Sequence, residues 1–404
     1  MKRPHDGSNE GLVSPGVPDA AGRDQIACSS GAGEVLSREI SARIAVLRFP
    51  LVFGVVIVHC GHREILESLQ WRQAGINALV PFVENFFSWI VGRVSVPFLF
   101  VISGFLLFAN YDLSRDCIAR KLKRRVRSLV IPYVAWNVLA FIGILAVQSL
   151  KPVLAQYFNP DEKLIAQYGI LDFLNGFVGI RGDYLYDSPL WFVRDLMILC
   201  ILSPVFFILI RRSPIVPVML GGAAFWLFIP NLGPLTSGHG LDAFVFFTLG
   251  ATLALRRVSF GWVDKYGRWI LVAFLVSAAL EAGFRTYGWF SWQVHRINLT
   301  VGIAAWWYVS GLALAWPRLY AIAGGLSVYS FFLYAAHMPI VLKVIRGSLQ
   351  LLFPFNSVGV MAGYVLPMIL GTALIVGLAW VLERCLPRLF GILNGERRRQ
   401  FSTG

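Results

Sequence analysis

The chain has 404 residues, of which 57% are hydrophobic and only 14% charged, and its formal net charge is +14. A soluble domain carries roughly 25% charged residues, and a mean hydropathy of +0.65 excludes one here. This is the composition of an integral membrane protein. In a soluble protein the positive balance would suggest nucleic acid, but no nucleic-acid-binding motif accompanies it. The basic residues gather between apolar segments instead, which is the positive-inside pattern and also offers a surface for anionic lipid or an anionic cofactor.

Residues 1–37 are rich in Gly, Ser, Pro and Asp, hold no apolar run, and read as a disordered cytoplasmic tail. No cleavage site is evident after the first apolar segment, so that segment is expected to stay as an anchor. Ten stretches approach the 17–25 residues needed to span a bilayer, at about 43–60, 90–110, 128–148, 190–210, 215–230, 240–256, 268–284, 298–316, 321–342 and 362–384. The fifth is short and Pro-bounded, and an interfacial helix is predicted around 77–89. Residues 38–390 thus form one all-α transmembrane unit, followed by a basic cytoplasmic tail at 391–404.

With the N-terminus inside, 25 of the 36 Lys and Arg residues fall on the inner side. That bias favours N-in, C-in and an even span count. Glu64, Glu67, Glu84, Asp161, Glu162, Asp172, Asp183 and Asp187 then lie outside. The outer loop at about 149–188 mixes aromatics with carboxylates, which suits a sugar-binding surface as well as a plain connector.

The first span holds Arg48 and His59, eleven residues apart. At 100° per residue that is within about 20° of three full turns, so both share one helix face, roughly 16 Å apart along it. Ionisable groups in a membrane helix are costly and mark pathways or sites. His59 reads either as a structural histidine bonded to a neighbouring helix or as a general base, since imidazole is matched to deprotonating a hydroxyl near neutral pH. The aligned Arg48 favours the second reading. Cys60 points about 100° away, as a small core residue would. His59 and His62 have metal-ligand spacing, but Glu64 is the sole obvious carboxylate nearby, and no metal is expected. The cysteines Cys28, Cys60, Cys117, Cys200 and Cys385 are odd in number and form no CxxC pair, which argues against a disulfide framework or a zinc site.

In the second span, Ser103-Gly104 permits close helix approach, and Arg93 near its outer end either snorkels or serves the pathway. Inside it comes a run with seven cations in the thirteen residues from Arg115 to Arg127. Basic runs of this kind set topology and contact lipid, but seven exceed that need. Arg124 and Arg127, three residues apart, share one helical face and suit a phosphate group.

Taken in order, these segments resemble the acyltransferase-3 group of multi-pass membrane acyltransferases. The matching segments are Arg48 to His59, Arg93 through the PheLeuPheValIleSerGlyPhe stretch, the ArgArgValArg run with ValIleProTyr, and Ser188-Pro-Leu-Trp191-Phe192. They continue with PhePheThrLeuGlyAla at 246–251 and with Leu326 through Tyr334 to His337-Met-Pro. The resemblance covers about 40–390. It implies a catalytic His59, a functional Arg48, and Arg124 and Arg127 near an acetyl-CoA donor, with Lys121 and Lys123 adding field strength. It also implies an extracytoplasmic glycan acceptor and a bacterial inner-membrane location. Arg93, Trp191 and His337 become candidates for the acceptor pathway, although Trp191 also suits an interfacial anchor and His337 a packing role. His239 has no supporting pattern. Some members carry a C-terminal esterase-like domain, which is not expected here. The competing class is a secondary transporter, since Pro- and Gly-interrupted helices with intramembrane Arg and His also suit a substrate pathway.

Overall fold

Lipid offers no partner for backbone N–H and C=O groups, so apolar segments of this length are satisfied internally as helices or closed barrels. A computed structural model defines residues 38–62, 70–150, 164–179, 185–213, 222 and 240–396, and among the described residues every regular element is a helix. In chain order these are α1 (Arg38–Cys60), α2 (Leu79–Phe108), α3 (Arg115–Arg125), α4 (Ile131–Leu150), α5 (Ile170–Val178), α6 (Trp191–Ile201), α7 (Ser203–Arg212) and α8 (Gly240–Leu255). The second half adds α9 (Gly261–Thr286), α10 (Trp292–Leu314), α11 (Pro317–Ser327), α12 (Ser330–Ala336), α13 (Leu342–Leu352), α14 (Ser357–Cys385) and α15 (Pro387–Asn394).

Six helices among the described residues are long and apolar enough to cross a membrane, or up to eight when two bent pairs each count as one span. The bent pairs are α6 with α7, turned by 62°, and α11 with α12, turned by 53°. The shorter α8 matches the predicted sixth span, while the predicted fifth, at 215–230, lies largely outside the described residues. His239 lies outside them too. One boundary differs clearly from expectation. The segment at 77–89 is no interfacial helix but the first part of α2, a continuous 30-residue helix.

The continuity of α2 is made by a π-turn at Asn85–Val91. A second π-turn, Val126–Val130, joins α3 to α4, and a third, His337–Val341, joins α12 to α13. The third contains Met338 at φ −124, ψ 165, outside helical geometry. Met338 precedes Pro339, and the residue before a proline is pushed towards extended backbone by steric clash.

The first helix is the centre of the bundle. It packs against α2, α10, α11, α12 and α14, and its buried residues, from Arg43 to Cys60, surround the axis. Its N-terminal end is fixed by Arg43, whose guanidinium donates to Asp264 of α9 at 2.8 and 3.0 Å and to Glu39 at 2.7 and 3.0 Å, over the ring of Trp307. Lipid-facing apolar side chains lie instead on α4, α9 and α14, among them Ile142, Leu280 and Leu374.

Two close approaches set the helix spacing. A Cβ on Gly104 would collide with the carbonyl oxygen of Phe247, and one on Gly250 with that of Val101, so α2 and α8 meet backbone to backbone. This is the packing role expected of Ser103-Gly104. Likewise a Cβ on Gly92 would lie 2.8 Å from the carbonyl oxygen of Gly54. That contact brings α2 onto α1 midway between Arg48 and His59. Cys60, Cys200 and Cys385 are free thiols, and Cys117 is disulfide-bonded.

Candidate active site

The C-terminal half of α1 ends in a cluster of polar side chains drawn from four helices. His59 is half-buried. Its ring centroid lies 5.1 Å from that of His337, with the ring planes at 54°. His337 is fully buried at the start of the third π-turn. Arg346 of α13 donates from Nη1 to the His59 carbonyl oxygen at 3.2 Å. The charges of Arg346 and of Arg93, on α2, both act on His59. Arg93 itself lies over the Trp89 ring, 4.3 Å from its centroid, with Arg285 on the same ring at 3.7 Å. Two guanidiniums stacked on one indole are a cation–π arrangement.

A second layer braces this cluster. His62 Nδ1 lies 2.9 Å from Glu84 Oε1, and the His62 backbone N–H donates to Glu84 Oε2 at 2.8 Å. The neighbouring Ser88 hydroxyl donates to the Ile57 carbonyl oxygen and shares a 2.9 Å hydrogen bond with Tyr364 of α14. Glu84 is 0% exposed and lies within α2. His62 is committed to Glu84 and does not share a ligand set with His59. Among the described residues no group of His, Cys, Asp or Glu is arranged to hold a metal ion.

At the other end of the stripe, Arg48 is half-buried, and the charge of Arg125 acts on it. Arg48 makes no ion pair among the described residues. Arg124, Arg127 and Lys123 are exposed on the same basic segment. The π segment begins at Val126, so Arg127 does not continue the regular α-helical register of Arg124. Lys121 is differently engaged: its ammonium donates to the carbonyl oxygens of Leu107 and Ala109 at 2.7 and 2.8 Å, satisfying the C-terminal end of α2. One of its three N–H bonds remains for other use.

Trp191 stands at the N-terminus of α6, its ring 6.3 Å from that of Phe100. The site therefore brings together His59, His337 and Arg93 at one end and Arg48 with the basic segment at the other. Sequence reasoning missed Arg346, Arg125 and Glu84. Arg346 carried no usable signal, because the break at Met338 destroys the helical register between it and His337. Arg125 lay unnoticed inside the cationic run. Glu84 was hidden by a span start placed some ten residues too late.

Chemically, the two ends are complementary. Two guanidiniums without an ion pair among the described residues suit an anion such as a phosphate. The imidazole pair offers proton-transfer capacity some three helical turns away. A family model described as an acyltransferase domain matches residues 41–384, which includes every group named in this site. The chain is also 26% identical over 318 residues, 76% of its length and 80% of the relative's, to the succinoglycan biosynthesis protein ExoH of Rhizobium meliloti (strain 1021). No solved structure matches.

Proposed function

The chain belongs to the acyltransferase family whose domain spans its residues 41–384, and from that premise we propose that it moves an acetyl group from cytoplasmic acetyl-CoA to a hydroxyl of an extracytoplasmic glycan. The observation that carries the reading is the polar stripe of α1, with Arg48 beside Arg125 at one end and His59 beside His337 at the other. The chain's likeness to a succinoglycan biosynthesis protein supports a polysaccharide acceptor. In this reading the chain has ten spans, with both termini on the cytoplasmic side of a bacterial inner membrane.

The donor supplies a thioester whose carbon is open to attack by an oxygen nucleophile. Arg48 and Arg125 hold its phosphates, with Arg124, Arg127, Lys123 and the spare N–H of Lys121 raising the local positive potential. The close approach at Gly54 and Gly92 keeps α2 against α1 along the path between the two ends. His59 takes the proton of the acceptor hydroxyl as that oxygen attacks. Arg93 and Trp191 line the acceptor side, the first as a hydrogen-bond donor and the second as a stacking surface for a sugar ring.

General-base help of this kind is worth about 10²–10⁴ in rate. Purified protein given labelled acetyl-CoA and a glycan acceptor is expected to release free CoA only when acceptor is present. His59→Ala is expected to lower that rate at least about 10²-fold with donor binding intact. Acceptor movement with the thioester left whole would instead assign the chain to the transporter class.

A further inference from the structure

His337 is fully buried, and its backbone surroundings dictate its tautomer. Its Nδ1 lies 2.7 Å from the carbonyl oxygen of Tyr334. A carbonyl oxygen only accepts, so Nδ1 must carry the proton and Nε2 must present its lone pair. That Nε2 has no hydrogen-bond partner among the described residues. Buried acceptors are nearly always satisfied, so an open one in a polar cluster is available to a donor that moves into reach.

A candidate donor is His59. Its ring faces that of His337 at 5.1 Å between centroids. At that separation, with planes inclined at 54°, a small ring rotation or one bridging hydroxyl brings nitrogen to nitrogen. The surroundings of His59 are otherwise cationic, with Arg93 on α2 and Arg346 on α13. A His59 that gains a proton there meets repulsion from both arginines, and a second cationic imidazole would worsen it. A neighbour locked as a neutral acceptor relieves it.

We propose that His337 is the positioning residue of the transfer: its Nε2 accepts the ring N–H of His59 and so turns the other His59 nitrogen, with its lone pair, towards the acceptor hydroxyl. This rests on His59 being the base. The hydroxyl proton passes to His59 and the hydroxyl oxygen bonds to the acyl carbon. The carbon–sulfur bond then breaks with its electron pair moving to sulfur, and the proton on His59 goes to the leaving thiolate. His337 exchanges no proton; it steadies the imidazolium while the charge is there. The logic is that of a catalytic triad with a tautomer-locked imidazole in place of the carboxylate.

Two variants test it in full-length protein. His337→Phe keeps an aromatic ring but removes the acceptor, whereas His337→Gln keeps an acceptor oxygen. The expected result is a kcat lowered about 10²-fold in His337→Phe, with donor KM unchanged, and substantial recovery in His337→Gln. Wild-type kcat in an inserted His337→Phe, or a His337→Gln no better than it, would overturn the proposal. A measurement free of variants is nitrogen NMR on ¹⁵N-histidine-labelled wild-type protein, which should show His337 as the Nδ1–H tautomer. The Nε2–H tautomer would overturn it. Turnover lost in His59→Ala but untouched in His337→Phe removes this inference alone, whereas turnover insensitive to His59→Ala removes the base reading beneath it.

Discussion

On the proposed reading, Arg48 and Arg125 are kept for donor binding at the expense of stability. Two guanidiniums that repel without a carboxylate between them are a cost to the empty protein and an asset to one that binds an anion. A hydrogen bond to a charged group is worth about 1.5–3 kcal/mol, which corresponds to roughly 10–100-fold in affinity. Arg48→Gln should therefore weaken donor binding by about that factor while leaving the melting temperature equal or higher. A variant that melts lower but binds donor normally would make Arg48 a structural residue. Asp187 offers a different test, because it lies buried just before α6 with neither carboxylate oxygen hydrogen-bonded among the described residues. Burial pushes its carboxyl well above the ordinary carboxylate range. The folded chain then holds this proton to higher pH than the unfolded chain does. The group's contribution is intact below about pH 4 and is lost as the pH rises. Asp187→Asn should accordingly melt above wild type at pH 8 and level with it at pH 4. A lower melting point at pH 8 would contradict this.

Much of the candidate site was legible in residues whose cost in lipid demanded a reason. Arg48 and His59 declared themselves because three turns of regular helix lie between them, and regular helix is what periodicity reads. What failed to show was anything beyond an irregular turn. Each of the three π-turns adjoins a site group: Arg93 after the first, Arg127 within the second and His337 opening the third. Such turns are frequent at functional sites, and no 3.6-residue pattern foresees them. Among the elements, α9 and α10 are tied by a buried network in which Glu281 lies 2.9 Å from His295 and accepts from Asn298 at 2.5 Å. In water, breaking a buried charged pair costs about 3–5 kcal/mol. Between membrane helices such bonds average nearer 0.6 kcal/mol, because the unfolded chain also finds partners there. The smaller figure governs here, so Glu281→Leu should lower stability by about 1 kcal/mol without changing turnover per folded molecule. Gly104→Val should do worse, since the collision with Phe247 is with backbone and cannot be relieved by a rotamer change. Loss of inserted protein in Gly104→Val, with Glu281→Leu nearly normal, is the expected contrast. The reverse order would contradict it.

For the molecule as a whole, composition and charge gave the class, and the order of motifs along the chain gave the family. Neither sets the number of crossings. The bent pairs α6/α7 and α11/α12 are where hydropathy and helix geometry part, since a window of apolar residues does not record a 62° or 53° turn. Cysteine labelling from the two sides of the membrane should find Cys385 reactive from the same side as residues introduced into the Arg115–Arg125 segment. Reactivity from the opposite side would overturn the N-in, C-in arrangement. All of this converges on a path running along α1 from a cationic mouth to an imidazole pair. The most direct measurement is a density map of the full chain with a non-hydrolysable thioether analogue of acetyl-CoA. The expected result places its phosphates against Arg48 and Arg125 and its acyl carbon beside His59. An analogue bound away from α1, or with its acyl end pointing to lipid, would contradict the account.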